Sequence, residues 1–181
     1  MLHKFIERAL DFIFPPKCEL CGKYNESYIC DECINEFKTI EKCRCDEIEN
    51  RHYNEHYWIF KYEEPIVRRK ILELKFGEKA YLAKMFASVV VSNEDTVEYL
   101  KQFDYIIPVP IHKKRYKFRG YNQTYLVCKA ICKMLEFEEK LLSNAIKKER
   151  NTEAQSMQTK ASRGSNVRGA YKGCGEMSLV R

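Results

Sequence analysis

Two Cys-x-x-Cys pairs, Cys18-Glu-Leu-Cys21 and Cys30-Asp-Glu-Cys33, stand eight residues apart near the start of the chain. Each pair makes a tight turn that aims two thiolates at one point, and two such turns complete the tetrahedral sulfur shell that zinc prefers. A redox Cys-x-x-Cys usually comes singly beside a βαβ pattern, whereas these pairs lie in a short polar segment with no strand before them. So small a segment holds little apolar core and depends on a metal for its shape. The expectation is one Zn2+ held by Cys18, Cys21, Cys30 and Cys33.

The remaining cysteines divide by context. Cys43 and Cys45, with His52 and His56 at i, i+4, offer a second zinc site; the competing reading is a solvent-facing thiol pair beside linker histidines. Cys128 and Cys132 share one helical face among apolar residues and read as core, and Cys174 as a thiol in a polar tail. Six of the nine cysteines fall between positions 18 and 45. Lys4, Glu7, Arg8 and Asp11 interrupt the apolar pattern ahead of them, so no signal-peptide core is expected. No stretch approaches a membrane span. A reducing cytoplasm is the expected setting.

A net charge of +6 conceals an asymmetry. Residues 1–50 hold seven Lys/Arg and eleven Asp/Glu, a net of −4, which leaves +10 for the rest. The excess gathers at Lys113, Lys114, Arg115, Lys117 and Arg119, and again at Lys147, Lys148 and Arg150. Such clusters suit phosphate-bearing partners, nucleotides or a nucleic-acid backbone; the alternative is a solvated loop face.

Leu2, Phe5, Ile6, Ala9, Leu10 and Ile13 mark one face of a helix that Pro15-Pro16 ends, a face expected to pack on the chain's own body. The cysteine segment follows to about residue 46, and Asp46 to Glu55 reads as a polar linker. Tyr57–Tyr62 has the aromatic richness of a strand. Pro65 opens a helix running towards Phe76, and Gly77 separates it from a second helix through Leu82, Met85, Phe86 and Val89. Tyr105–Ile111 reads as a short buried strand halted by two prolines, and Gly120 precedes another helix. The tail from Glu149 to Gly169 is polar, with a short helix near its end. Alternating strands and helices imply an α/β sheet. The domains read as 1–46 (helix and zinc ribbon), 47–56 (linker) and 57–181 (α/β domain).

Several blocks line up in order: Phe14-Pro-Pro-Lys-Cys18-Glu-Leu-Cys21-Gly22, the second cysteine pair, Leu74-Lys-Phe-Gly77, Pro108-Val-Pro-Ile-His112, Arg119-Gly-Tyr-Asn-Gln123, then Thr152, Gln155, Arg163 and Asn166-Val-Arg-Gly-Ala-Tyr171. Together they resemble the ComF family of competence proteins, in which a zinc ribbon precedes a phosphoribosyltransferase-type domain. The resemblance implies an incomplete type I phosphoribosyltransferase-like parallel sheet behind the ribbon. It also implies a role in handling incoming single-stranded DNA during natural transformation, beside competence or DNA-processing proteins.

Family members continue past the Asn-Val block into a strand, an acidic pair and a Thr-Thr-Gly loop that cradles phosphoribosyl pyrophosphate. No acidic pair leading into such a loop occurs in this sequence, where Gly175–Val180 resembles the start of that strand. The expectation is therefore a C-terminally truncated domain without phosphoribosyl transfer, and Mg2+ only if the pyrophosphate binds. The alternative is a phosphoribosyltransferase of nucleotide metabolism represented by part of its chain. His112, Lys113, Lys114, Arg115, Arg119, Gly120, Asn122 and Gln123 are the candidate pyrophosphate or nucleic-acid contacts. Arginine supplies a fixed fork for phosphate oxygens and Gly120 a close backbone approach. For His112 a structural hydrogen bond in the loop is the competing role.

Overall fold

A computed structural model of the chain describes residues 17–26, 28–40, 44–47, 55–60, 62–152 and 162–174. The helix expected over residues 2–13 lies outside them. The chain divides into two compact units, Met1–Gln102 and Phe103–Arg181.

The first unit begins with a knuckle in which Lys17 and Tyr24 form an antiparallel bridge. Helix α1 (Asp31–Ile40) follows, then strands β1 (Arg44–Glu47) and β2 (Glu55–Trp58), an antiparallel pair with Cys45 opposite Tyr57 and Asp46 opposite His56. The stretch read as a polar linker therefore carries strand pairing at both ends. The strand expected at Tyr57–Tyr62 starts two residues earlier and stops at Trp58. Helix α2 (Pro65–Phe76) opens on a proline, which lacks the N–H that would have no intrahelical partner there. It ends where the Gly77 N–H bonds the Glu73 carbonyl at 2.8 Å.

Helix α3 (Leu82–Val91) is apolar nearly all round and buries Leu82, Met85, Phe86 and Val89. A helix of that kind belongs at the centre of its unit. Ile29, Val67 and Leu74 add to the same core. Helix α4 (Glu94–Lys101) is capped by Asn93, whose Oδ1 accepts from the Thr96 N–H at 2.8 Å. Thr96 also bonds the Tyr57 hydroxyl at 3.0 Å, and the Tyr57 ring stacks on Tyr99 with centroids 4.1 Å apart. The hairpin is thereby fastened to α4.

In the second unit Ile106 makes a parallel bridge to Leu141, with the Ile106 N–H on the Lys140 carbonyl at 2.8 Å and the Leu142 N–H on the Ile106 carbonyl at 3.1 Å. Pro108 and Pro110 then deny the segment further N–H donors. Helix α5 (Lys113–Arg119), helix α6 (Gln123–Leu135), a short 3-10 turn at Glu138–Lys140, strand β3 (Ile146–Lys148), helix α7 (Ser162–Val167) and strand β4 (Tyr171–Gly173) complete it. Strands β3 and β4 pair antiparallel. Helix α7 is the short tail helix expected from the sequence. Both sheets among the described residues are two-stranded and antiparallel, so the architecture is mixed helix and small sheet behind a zinc ribbon. The extended parallel sheet expected from the strand–helix alternation is not among them.

Candidate metal centre and the basic surface of the second unit

Backbone geometry carries the first cysteine pair. The Cys18 N–H bonds the Lys23 carbonyl and the Gly22 N–H bonds the Cys18 carbonyl, both at 2.8 Å, closing a turn around the sulfurs. Gly22 follows Cys21 with φ +78°, a left-handed conformation that costs glycine least. The second pair sits where α1 begins: Cys30 immediately precedes the helix and Cys33 lies in its first turn. An Asn25 side-chain bond to the Ile29 carbonyl at 2.9 Å holds the chain just before it.

These two turns bring all four sulfurs within 4.8 Å of one another, with Cys21 and Cys30 Sγ 3.7 Å apart. A tetrahedral zinc with Zn–S of about 2.3 Å separates its sulfurs by about 3.8 Å. Cys18, Cys30 and Cys33 are buried and Cys21 is exposed. Burial raises the Cys18 thiol, but hydrogen bonds from the backbone at Cys21, Cys30 and Leu20 outweigh it and bring it down to about 6. Burial and the sulfurs of Cys18, Cys30 and Cys21 push Cys33 far up. At Cys30 the Cys33 backbone and sulfur favour the thiolate, yet Glu32, burial and the Cys21 sulfur leave the thiol raised. Four thiolates cannot share so small a space without a cation. The donor set fits zinc, which Cys18, Cys21, Cys30 and Cys33 would hold.

Residues 9–57 match the double zinc ribbon domain. No curated protein matches the chain. The N-terminal segment thus carries a zinc ribbon, with its four-cysteine cluster among the described residues. Of the second candidate set, Cys43 and His52 lie outside those residues, while Cys45 and His56 belong to different cross-strand pairs of the hairpin.

One feature of this region escaped the sequence reading. Glu19, inside the first cysteine turn, bonds Lys70 of α2 at 3.0 Å, and Lys70 also bonds Glu73 at 3.1 Å. Lys79 reaches Glu73 at 3.1 Å. Lys70 is only 4 % exposed. Its position between Val67 and Leu74 on the apolar face of α2 is a legible signal for a buried, paired charge.

The candidate contacts of the second unit separate into two kinds. His112 is buried and caps α5, its Nδ1 accepting from the Lys114 N–H at 3.3 Å. Arg115 Nη2 donates to the Thr152 carbonyl at 2.6 Å, and Arg119 donates to Gln123 Oε1. Gly120 ends α5 with φ +81° and open space where a Cβ would stand, so the left-handed turn rather than a close approach calls for glycine. Asn122 caps α6, with its Oδ1 accepting from the Thr124 N–H at 3.1 Å and its Nδ2 donating to the Val109 carbonyl at 3.1 Å. Replacing Asn122 with Ala is expected to lower stability by about 1–2 kcal/mol, read as a shifted urea midpoint, because cap and loop tether go together. These residues hold the loop in place. Lys113, Lys114 and Lys117 are exposed instead, beside Tyr116 and an 83 % exposed Phe118.

On α6, Cys132 is buried and Cys128 half-buried. Burial pushes the Cys128 thiol up to about 11, which fits a core role and not a reactive one. The Cys174 N–H bonds the Ala145 carbonyl at 2.8 Å, at the end of the β3–β4 pair.

Proposed function

We propose that the protein is a ComF-like factor: a zinc ribbon ahead of a phosphoribosyltransferase-type domain that handles incoming single-stranded DNA in the cytoplasm during natural transformation. The observation that carries the reading is helix α5. Its lysines and aromatic rings face solvent, while His112, Arg115, Arg119 and Asn122 fix the loops around it. Lysines interleaved with aromatic rings suit a strand whose phosphates seek cations and whose unstacked bases seek rings. The ribbon supplies a rigid, metal-held module for contact with competence or DNA-processing proteins.

The test is fluorescence anisotropy with a labelled oligothymidylate. Affinity is expected to fall steeply with salt, with a log–log slope of about −3 for about four phosphate contacts. Absence of binding at low salt, or a flat response, removes the reading. A phosphoribosyl-transferring enzyme is the second reading, favoured by the fixed Pro108–His112 loop ahead of two arginines. Calorimetry with phosphoribosyl pyrophosphate and Mg2+ separates the two, since micromolar binding would restore the enzyme.

A further inference from the structure

Two lysines from each basic cluster of the sequence, some thirty residues apart, line one groove in the second unit. Lys113, Tyr116 and Lys117 of α5 face Ile146, Lys147 and Lys148 of β3 across a volume of about 410 Å³ with no acidic side chain in its lining. We propose that this groove is the contact surface for single-stranded nucleic acid, with phosphates against the lysines and a base stacked on Tyr116. The proposal rests on the nucleic-acid reading above and assigns the residues that would carry it.

The lining is mostly apolar, from Pro110, Ile111, Ile146 and lysine stems, and the charges that the four lysines bring to it make an anion with an apolar part the fitting occupant. Lys113 and Lys117 are one helical turn apart on α5, so the two residues share one side of the helix. Lys148 sits over the Tyr171 ring, 4.9 Å from its centroid, and reaches the Tyr171 hydroxyl at 3.3 Å, partners that leave its charge intact. Lys147 pairs with Glu149 at 2.9 Å, but both side chains are about half exposed. An exposed pair of that kind contributes little and exchanges readily for a phosphate oxygen. Tyr116 is 53 % exposed, which leaves ring surface for a base. The volume lies in the range of small-ligand pockets, room for about one or two nucleotides and too little for a duplex. Arg115 and Arg119 point elsewhere for their bonds and take positioning roles.

The experiment measures oligothymidylate binding by anisotropy across a salt series, using the full chain with Lys147→Ala/Lys148→Ala, Lys113→Ala/Lys117→Ala, Tyr116→Leu and the outlying Lys129→Ala. Circular dichroism establishes that each variant is folded. Each double variant is expected to weaken binding about tenfold and to reduce the salt slope by about 1.4, or 0.7 for each lost phosphate contact. Tyr116→Leu should weaken oligothymidylate about tenfold and leave inorganic polyphosphate unaffected, because only the former has bases to stack. Lys129→Ala should change neither. If the wild type binds and Lys147→Ala/Lys148→Ala binds as well with the same slope, the groove is overturned while the nucleic-acid reading stands. No binding by the wild type overturns both. Equal affinity for a duplex, or a Tyr116→Leu variant that affects both ligands alike or neither, overturns the single-strand assignment in favour of a general polyanion surface.

Discussion

Replacing Cys33 with Ser is expected to release one zinc ion per chain and to unfold the ribbon. Cys33 is buried among the other three sulfurs, and a serine hydroxyl does not replace a thiolate as a zinc ligand. A structural zinc contributes about 10–16 kcal/mol in small modules at neutral pH, as much as the whole stability of an ordinary domain. The segment from Lys17 to Ile34 has Ile29 as its one large buried aliphatic side chain, so little else would hold it. The second unit has its own buried residues, among them Ile131, Cys132, Ala145 and Ala170, and should stay folded. Elemental analysis of protein purified without chelator checks the count, and a thermal melt checks the unfolding. A wild-type count of one agrees with the four-cysteine site alone; a count near two assigns the second ion to Cys43, Cys45, His52 and His56. Wild-type protein without metal would remove the claim.

Lys70→Met should destabilise the first unit by about 3–5 kcal/mol, because it strips a nearly buried partner from Glu19 and Glu73 at once. Lys79→Ala removes a 40 % exposed lysine from the same network and should cost about 1 kcal/mol or less. Urea denaturation of the two variants distinguishes them, and equal midpoints would show that the buried lysine matters no more than the exposed one. The difference between wild type and Lys70→Met should depend on pH. Burial raises the Glu73 carboxyl, but hydrogen bonds to Lys79 and Lys70 outweigh it and hold the group below its ordinary range. A carboxyl depressed on folding contributes stability above its unfolded pKa of about 4.3 and loses it as pH falls through the lower folded value. The gap between the two proteins should therefore be widest near neutrality and narrow in acid.

Features set by neighbours in sequence were legible in advance. Pro65 and Gly77 bracket α2, and Gly120 precedes α6, whereas α1, α4 and α5 were not among the expected helices. The β1–β2 pairing was not legible, because four-residue strands rich in charge carry no alternation strong enough to separate them from a linker. Nor was the absence of an extended parallel sheet from the described residues. Strand–helix alternation suggests such a sheet, but strand pairing is a non-local event that the order of segments does not dictate.

By itself, the sequence determined the four-cysteine cluster, both limits of α2 and the start of α6, since a Cys-x-x-Cys turn, a helix-opening proline and a left-handed glycine act over a few residues. Only the tertiary structure decided which charges serve the fold and which face solvent. Arg115 and Arg119 looked the strongest phosphate ligands, yet their hydrogen bonds run to Thr152 and Gln123. Lys70 joins Glu19 of the first cysteine turn to Glu73, partners that its place on α2 does not name. Lys147 and Lys148 meet Lys113 and Lys117 because β3 returns beside α5. Each outcome depends on which distant groups come within hydrogen-bonding or Coulombic reach, a through-space relation that spacing along the chain does not encode.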